Sequence, residues 1–270
     1  MTRFKVLGTL RVTNGDRDCT PTPPKMRSVL ALLLLSANRV VQMDSVIEEL
    51  WGNNSPRSAV TTVQTYIYHL RRLFVAERCD PPGGQLLLTK QGGYLFHVEP
   101  DHVDAKVFER LVQQGRGLLE EDRCEAAAAI LEEALAMWTG PALADVSAGS
   151  LLQAYAIHLE ERRINALELR IEAHIRLGRE RELIAELRSL VCSHPLHEWF
   201  HGQLIQVLGH SGRRSEALHA YQSLRSILRE ELGVDPAPEL QTLQHWLLSA
   251  GTPEPLALTA HGGHPRPAAA

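Results

Sequence analysis

Between Arg57 and Phe74 the chain reads RSAVTTVQTYIYHLRRLF, and this stretch constrains the fold more than any other. Ala59, Val63, Ile67, Leu70 and Phe74 recur every three to four residues, which predicts a helix with one apolar stripe against a core. On the opposite side stand Arg57, Thr61, Gln64, Thr65, Tyr68 and Arg72, with no carboxylate among them. A solvated helix face ordinarily mixes glutamate with lysine. A face of cations, amides and hydroxyls without acid suits a helix lying in the DNA major groove. There phosphates take cations and base edges take hydrogen-bonding groups. Taken alone, the same face also fits plain solvent exposure, so its neighbours decide.

Upstream, Phe4, Val6, Gly8, Leu10 and Val12 alternate with Lys5, Leu7, Thr9 and Arg11, which predicts a strand. Asn14-Gly15 marks a tight hairpin turn. Pro21, Pro23 and Pro24 end the sheet region. A first helix is expected over Lys25–Ala37 with Val29, Leu30, Leu33 and Leu34 inward. Asp44 is the expected N-cap of a second, with Val46, Ile47, Leu50 and Trp51 as its core and Gly52 as its stop. The third helix is Arg57–Phe74. Beyond the Pro81-Pro82-Gly83-Gly84 break, Leu86–Thr89 and Tyr94–Val98 flank Lys90-Gln91-Gly92-Gly93, which predicts a β-hairpin with a flexible, basic tip. A small sheet, three helices and a hairpin are the order of a winged helix-turn-helix of the response-regulator output type. The third helix then enters the major groove and the hairpin meets the backbone or minor groove. By itself the hairpin reads equally as a surface turn; following an acid-free helix it reads as the wing.

The net charge of −4 hides a division. Residues 1–98 hold 12 Lys/Arg against 7 Asp/Glu, a net +5, whereas residues 99–270 hold 16 against 25, a net −9. A basic front half and an acidic back half point to a nucleic-acid module joined to something that does not touch phosphates. From Asp101 the pattern is nearly continuous helix with an internal repeat. Leu177-Gly178-Arg179 matches Ser211-Gly212-Arg213 at an interval of 34 residues, the period of a tetratricopeptide helix pair. Asp122-Arg123 through Ala127, Leu131 and Ala134 repeats the pattern less faithfully. Ala127 and Ala217 fall where close helix approach demands a small side chain. Stacked helix pairs build interaction surfaces more often than active sites. Gly251–Ala270, rich in Pro, Gly and Ala, reads as a disordered tail.

The four cysteines, Cys19, Cys79, Cys124 and Cys192, form no C-x-x-C pair, so a reducing cytoplasm is the expected compartment. The opening MTRFKVLG runs directly into an alternating pattern, so no signal peptide is expected, and the longest apolar run, Val29–Leu35, is too short to span a bilayer. His194 and His197 bracket Pro195, but no H-E-x-x-H or Cys-His set accompanies them, which leaves surface histidines at a helix end. There is no G-x-S-x-G elbow and no acid–base constellation. No metal, cofactor or catalytic residue is expected, and Trp138 is expected to pack.

VDAKVFERLVQQGR (Val103–Arg116) is followed by ALAMWTGPAL (Ala134–Leu143), LEERRINALELRIEAHIRLGR (Leu159–Arg179), SHPLHEWFHGQLIQVLGHSGRRSEALHAYQSLR (Ser193–Arg225) and EELGVDPAPEL (Glu230–Leu240). In content and order these stretches resemble the Streptomyces antibiotic regulatory protein family of transcriptional activators, the first being similar to the start of that family's bacterial transcriptional activation domain. The resemblance spans about residues 4–250. It implies a mainly α fold with a small β component: a winged helix-turn-helix over 1–98 and a tetratricopeptide-like activation domain over 104–250. It also implies activation of an antibiotic or other secondary-metabolite gene cluster through direct repeats of promoter DNA. The implied partners are RNA polymerase holoenzyme with its sigma factor and further copies of the chain on DNA, in the bacterial nucleoid. No G-x-x-x-x-G-K-[ST] occurs, so the chain resembles a small, stand-alone member without the ATPase domain of larger relatives. Within this scheme Gln64, Thr65 and Tyr68 face base edges, Arg57 and Arg72 suit phosphates near the two helix ends, and Thr61 offers its hydroxyl to a phosphate. Arg71 either meets a phosphate or pairs with Glu77, and Lys90 is a candidate at the wing tip. A repressor sharing the winged half and a helical scaffold that does not bind DNA are the alternatives.

Overall fold

The computed structural model describes residues 1–81 and 84–249. Pro82, Gly83 and the stretch expected to form a tail lie outside the described residues. The chain is mostly helix and forms two compact units. One comprises Met1–Arg116 with Ala129–Ala166, the other Gly117–Ala128 with the residues from Leu167 onward.

The first unit opens with an antiparallel sheet of β1 (Thr2–Lys5), β2 (Arg11–Asn14) and β3 (Arg17–Asp18), with Phe4 opposite Val12 and Thr13 opposite Asp18. Gly15, at φ +60°, makes the expected turn between β2 and β3. The single strand expected through Phe4–Val12 is instead two strands, because the chain reverses at Gly8. Gly8 has φ +146°, and a Cβ there would lie 2.0 Å from Thr139 Oγ1. The amides this reversal frees find acceptors far along the chain. Asp104 takes the N–H of Val6 at 2.9 Å and of Leu7 at 3.1 Å, and Asp145 takes that of Leu10 at 2.8 Å. Thr139 and Leu143 amides donate back to the Leu7 and Val6 carbonyls. Buried backbone donors must be paired, and here distant residues pair them.

Helix α1 (Pro24–Leu35) starts with proline at its first position, where the missing N–H costs nothing. The expected inward residues Val29, Leu30, Leu33 and Leu34 are fully covered, and so are Ala31 and Leu32. A helix apolar all round is a core helix. Its Ser28 hydroxyl donates to the Ser147 carbonyl at 2.8 Å, and Ser36 shares a hydrogen bond with the Tyr155 hydroxyl at 3.2 Å. A strand absent from the sequence reading, β4 (Val40–Gln42), then leads into α2 (Met43–Trp51). Gln42, not Asp44, is the N-cap; Asp44 stands in the first turn, because pairing in β4 holds the chain extended up to Gln42. Val46 is buried as expected, whereas Ile47, Leu50 and Trp51 are half-buried. Glu49 is buried instead, and its carboxylate accepts the N–H groups of Gly149, Leu151 (2.9 Å) and Leu152 (3.2 Å). Those amides open α6 (Ser150–Arg176), so a carboxylate from α2 caps that helix.

After Gly52, at φ +55°, the chain turns into α3 (Ala59–Ala76). The wing strands β5 (Leu87–Lys90) and β6 (Gly93–Phe96) pair with each other and, through β6, with β4. Gly93 is required in that sheet, since a Cβ would sit 2.0 Å from the Val41 carbonyl oxygen. Phe96 joins the layers, meeting Phe4 edge-on at 5.2 Å and Phe74 at 5.9 Å. A 3-10 turn at Pro100–His102 leads to α4 (Asp104–Glu120), followed by α5 (Cys124–Ala136). Trp138 packs as expected, edge-on to Phe108 at 5.4 Å with the Arg163 guanidinium 5.0 Å over its ring.

The second unit is helical: the end of α6, a 3-10 turn at Glu180–Leu183, α7 (Ile184–Ser193), α8 (Glu198–His210), α9 (Arg214–Leu232) and α10 (Pro238–Leu248). The repeat read from the sequence is a repeat of helix ends. Gly178 (φ +71°), Gly212 (φ +75°) and Asp122 (φ +58°) each stand in the left-handed region. The following arginine then donates its N–H five residues back: Arg179 to His174, Arg213 to Leu208, Arg123 to Leu118. This is one Schellman stop used three times. Asp122 in place of glycine explains why the first copy is fainter in sequence, since Asp tolerates that conformation without being required by it. Ala127 and Ala217 are fully buried. His197 stacks on Phe200 at 4.3 Å and approaches Glu168 at 3.6 Å, while the His194 ring lies 6.5 Å from it.

Candidate nucleic-acid interface

Helix α3 is rich in β-branched residues, which are mediocre helix formers. Packing of one face supplies its stability. Ala59, Val63, Ile67, Leu70 and Phe74, the five stripe residues, are the buried ones. The Thr62 and Thr65 hydroxyls each donate to the carbonyl four residues back, at 2.9 Å. The helix begins and ends two residues later than expected, which leaves Arg57 in the preceding turn. At about 1.5 Å per residue its 18 residues span roughly 27 Å.

Thr61, Gln64, Thr65, Tyr68 and Arg72 are all exposed along the helix, with Arg57 just before it. No acidic side chain lies within Ala59–Ala76. Among the described residues Arg57, Arg72 and Lys90 form no ion pair. Tyr68, 55% exposed, stands between Arg72, whose guanidinium lies 5.8 Å over the ring, and His69, whose ring is 5.5 Å away. Because the Thr65 hydroxyl proton is donated to the Thr61 carbonyl, the hydroxyl can serve a further partner only as an acceptor. Four exposed residues of the helix stand outside the expected polar set: Val75 and Ala76 in the last turn, and, among the polar candidates themselves, His69 and Val60, the latter 47% exposed. The signal for His69 and Val60 was available, as Val60 and Gln64 are four apart and His69 and Thr65 are four apart.

Arg71 is half-buried and turned toward the wing. Its Nε donates to the Leu87 carbonyl at 3.0 Å and its terminal nitrogen to the Thr89 hydroxyl at 2.8 Å. Lys90 is exposed at the end of β5, beside a Gln91-Gly92 turn in which Gly92 has φ +78°. The tip expected to be flexible is held: the Gly92 carbonyl accepts the Met43 N–H at 2.9 Å, at the start of α2. Helix, wing and second helix thus form one bonded frame behind the exposed face.

Among the described residues no three His, Cys, Asp or Glu side chains gather as metal ligands, and no helix is long and apolar enough to cross a membrane.

The geometry can be set beside known proteins. The family model of the bacterial transcriptional activator domain matches residues 103–248, and that of the transcriptional regulatory protein C-terminal domain matches residues 18–96. The chain is 40% identical over 251 residues to the regulatory protein DnrI of Streptomyces peucetius, covering 92% of each. It is 37% identical over 238 residues to the transcriptional regulator RedD of Streptomyces coelicolor, covering 88% of this chain and 68% of that one. A solved structure of Mycobacterium tuberculosis EmbR, in complex with a low-affinity phosphopeptide, superposes with a TM-score of 0.85 at 33% identity. That match covers 92% of this chain and 65% of EmbR. The two family models and relatives aligned over most of this chain agree, and the chain belongs to the Streptomyces antibiotic regulatory protein family of transcriptional regulators.

Proposed function

We propose that the chain is a sequence-specific DNA-binding activator of a secondary-metabolite gene cluster, which binds direct repeats near a promoter and recruits RNA polymerase holoenzyme. The observation that carries this reading is the α3 face: five apolar residues fix the helix, and its other side exposes amide, hydroxyl, phenol and guanidinium groups with no acid among them. Gln64, Thr65 and Tyr68 meet base edges, Thr61, Arg57 and Arg72 meet phosphates, and Lys90 approaches the backbone from the wing. Arg71 acts through the wing it holds. The basic charge of residues 1–98 supplies the sequence-independent attraction. The acidic remainder adds no attraction to phosphate and serves protein contacts, with polymerase and its sigma factor and between copies on adjacent repeats. Membership of the Streptomyces antibiotic regulatory protein family, with the Streptomyces regulators DnrI and RedD as relatives, supports an antibiotic cluster as the target class.

Footprinting of the full-length chain on promoters of its own gene neighbourhood, with transcription by purified holoenzyme on the same templates, tests the proposal. Protection of two direct repeats with increased transcript is the expected result. Protection with decreased transcript would make the chain a repressor, and no protection anywhere would leave a helical scaffold.

A further inference from the structure

The exposed side of α3 carries two valines that hydrogen-bonding chemistry does not account for: Val75, 64% exposed in the last turn, and Val60, which stands in the first turn beside the polar candidates. Val60 is 47% exposed in the first turn, although the neighbouring Ala59 and Val63 complete the buried stripe without it. It packs no core. As a β-branched residue it is a poorer helix former than the alanine that would fit the same exposed place. It stands one turn before Gln64 and beside Thr61, both exposed on the same side.

From these observations, and resting on the reading of α3 as the groove helix, we infer that Val60 is a specificity-determining residue that reads the 5-methyl group of a thymine. The major groove presents one apolar feature, the thymine methyl, and an aliphatic side chain is its chemical complement. The position of Gln64 supports the assignment. A glutamine amide pairs with N6 and N7 of adenine, and the thymine opposite that adenine projects its methyl into the same groove. Side chains at i and i+4 lie about 5–6 Å apart, while successive base pairs are about 3.4 Å apart. Val60 therefore meets a thymine on the base pair read by Gln64 or on one adjacent to it. Valine there rejects cytosine, which carries no methyl at that carbon, as well as favouring thymine.

Replacing thymine by deoxyuridine removes only the methyl and leaves every hydrogen bond of the pair intact. Each thymine of the footprinted operator is replaced in turn, and the full-length chain and its Val60→Ala variant are titrated by fluorescence anisotropy. One buried methyl is equivalent to about a three- to fourfold change in affinity. The expected result is one position, within one step of the pair sensitive to Gln64→Ala, where deoxyuridine weakens the wild type by that factor. Val60→Ala should bind the unmodified operator with the same loss and show no further loss with deoxyuridine. Equal penalties for wild type and variant at every thymine, or no penalty at any, would overturn the inference while leaving DNA recognition by α3 intact. Failure of the wild type to prefer any operator over scrambled duplex would overturn both. Val60 is exposed and alanine favours helix, so the variant's fold is not at risk.

Discussion

The Arg71 guanidinium and the Thr89 hydroxyl are hydrogen-bonded at 2.8 Å, and with the 3.0 Å bond to the Leu87 carbonyl this fastens α3 to the wing strand β5. The two parts of the molecule that approach DNA in a winged helix are therefore set by one side chain. A lysine has a single ammonium and cannot span both acceptors as the planar fork does. Arg71→Lys should weaken binding to specific and random duplexes alike. Thr89→Val, which removes only the hydroxyl, should reproduce part of that loss. If Arg71→Lys changes sequence preference instead, Arg71 touches bases directly.

Arg57 and Arg72 flank the exposed face and form no ion pair among the described residues. Arg57→Ala and Arg72→Ala should each flatten the dependence of log K on log salt by about 0.9, one phosphate's share. Arg72→Ala also frees the Tyr68 ring it covers, so its loss on the operator should be the larger. Titrations at four salt concentrations measure the slope; an unchanged slope places these arginines off the backbone.

The Asp104 carboxylate accepts amides of Val6, Leu7 and Ala105. Burial pushes its carboxyl up from the ordinary value of 3.8, against the lowering effect of those amides and of Lys5. A carboxyl raised in the folded state holds its proton more tightly there than in the unfolded chain. Its contribution is greatest below 3.8 and falls as pH rises through the raised folded value. Asp104→Ala should cost about 2–4 kcal/mol, because it strands buried donors worth about 1–3 kcal/mol each. Asp104→Asn keeps one acceptor, should cost less, and should lose that acid-range dependence. Denaturant unfolding across pH measures both. An Asp104→Ala variant as stable as the wild type would mean that the reversal at Gly8 holds without it.

How much of this was legible in the sequence depends on how far apart the causes lie. The α3 stripe, the Asn14-Gly15 turn and the 34-residue spacing of Gly178 and Gly212 are local, and their periods or backbone requirements are written in consecutive residues. The reversal at Gly8 is not local: its acceptors, Asp104 and Asp145, lie 98 and 135 positions away. Burial of Glu49 depends on amides 100 to 103 residues on, and β4 exists because β6 pairs with it. The polar candidates on α3 were visible because helix periodicity alone exposes them. The Arg71 bonds to β5 depend on how the wing folds back, and Val60 has no hydrogen-bonding group to mark it.

These distant bonds predict where the chain can be cut. Residues 1–98 lack Asp104, Thr139, Asp145 and the start of α6, all of which satisfy backbone or side-chain groups of the winged half. A fragment of residues 1–166 should unfold cooperatively, and one of residues 1–98 should melt lower and more broadly. Relative to the full chain, the 1–166 fragment should lose more affinity on two repeats than on one, since linked copies gain from effective concentration. Calorimetry and gel-shift titrations on one-repeat and two-repeat duplexes supply the comparison. Equal losses on both duplexes would remove the coupling role from the helical repeats.

Base reading by the exposed face of α3 is tested by fluorescence anisotropy of the full-length chain and its Gln64→Ala and Tyr68→Ala variants, on the footprinted operator and on a scrambled duplex at one salt concentration. Each lost base contact should cost about 1–3 kcal/mol on the operator and leave binding to the scrambled duplex unchanged. Equal losses on both duplexes would mean that this face does not read sequence.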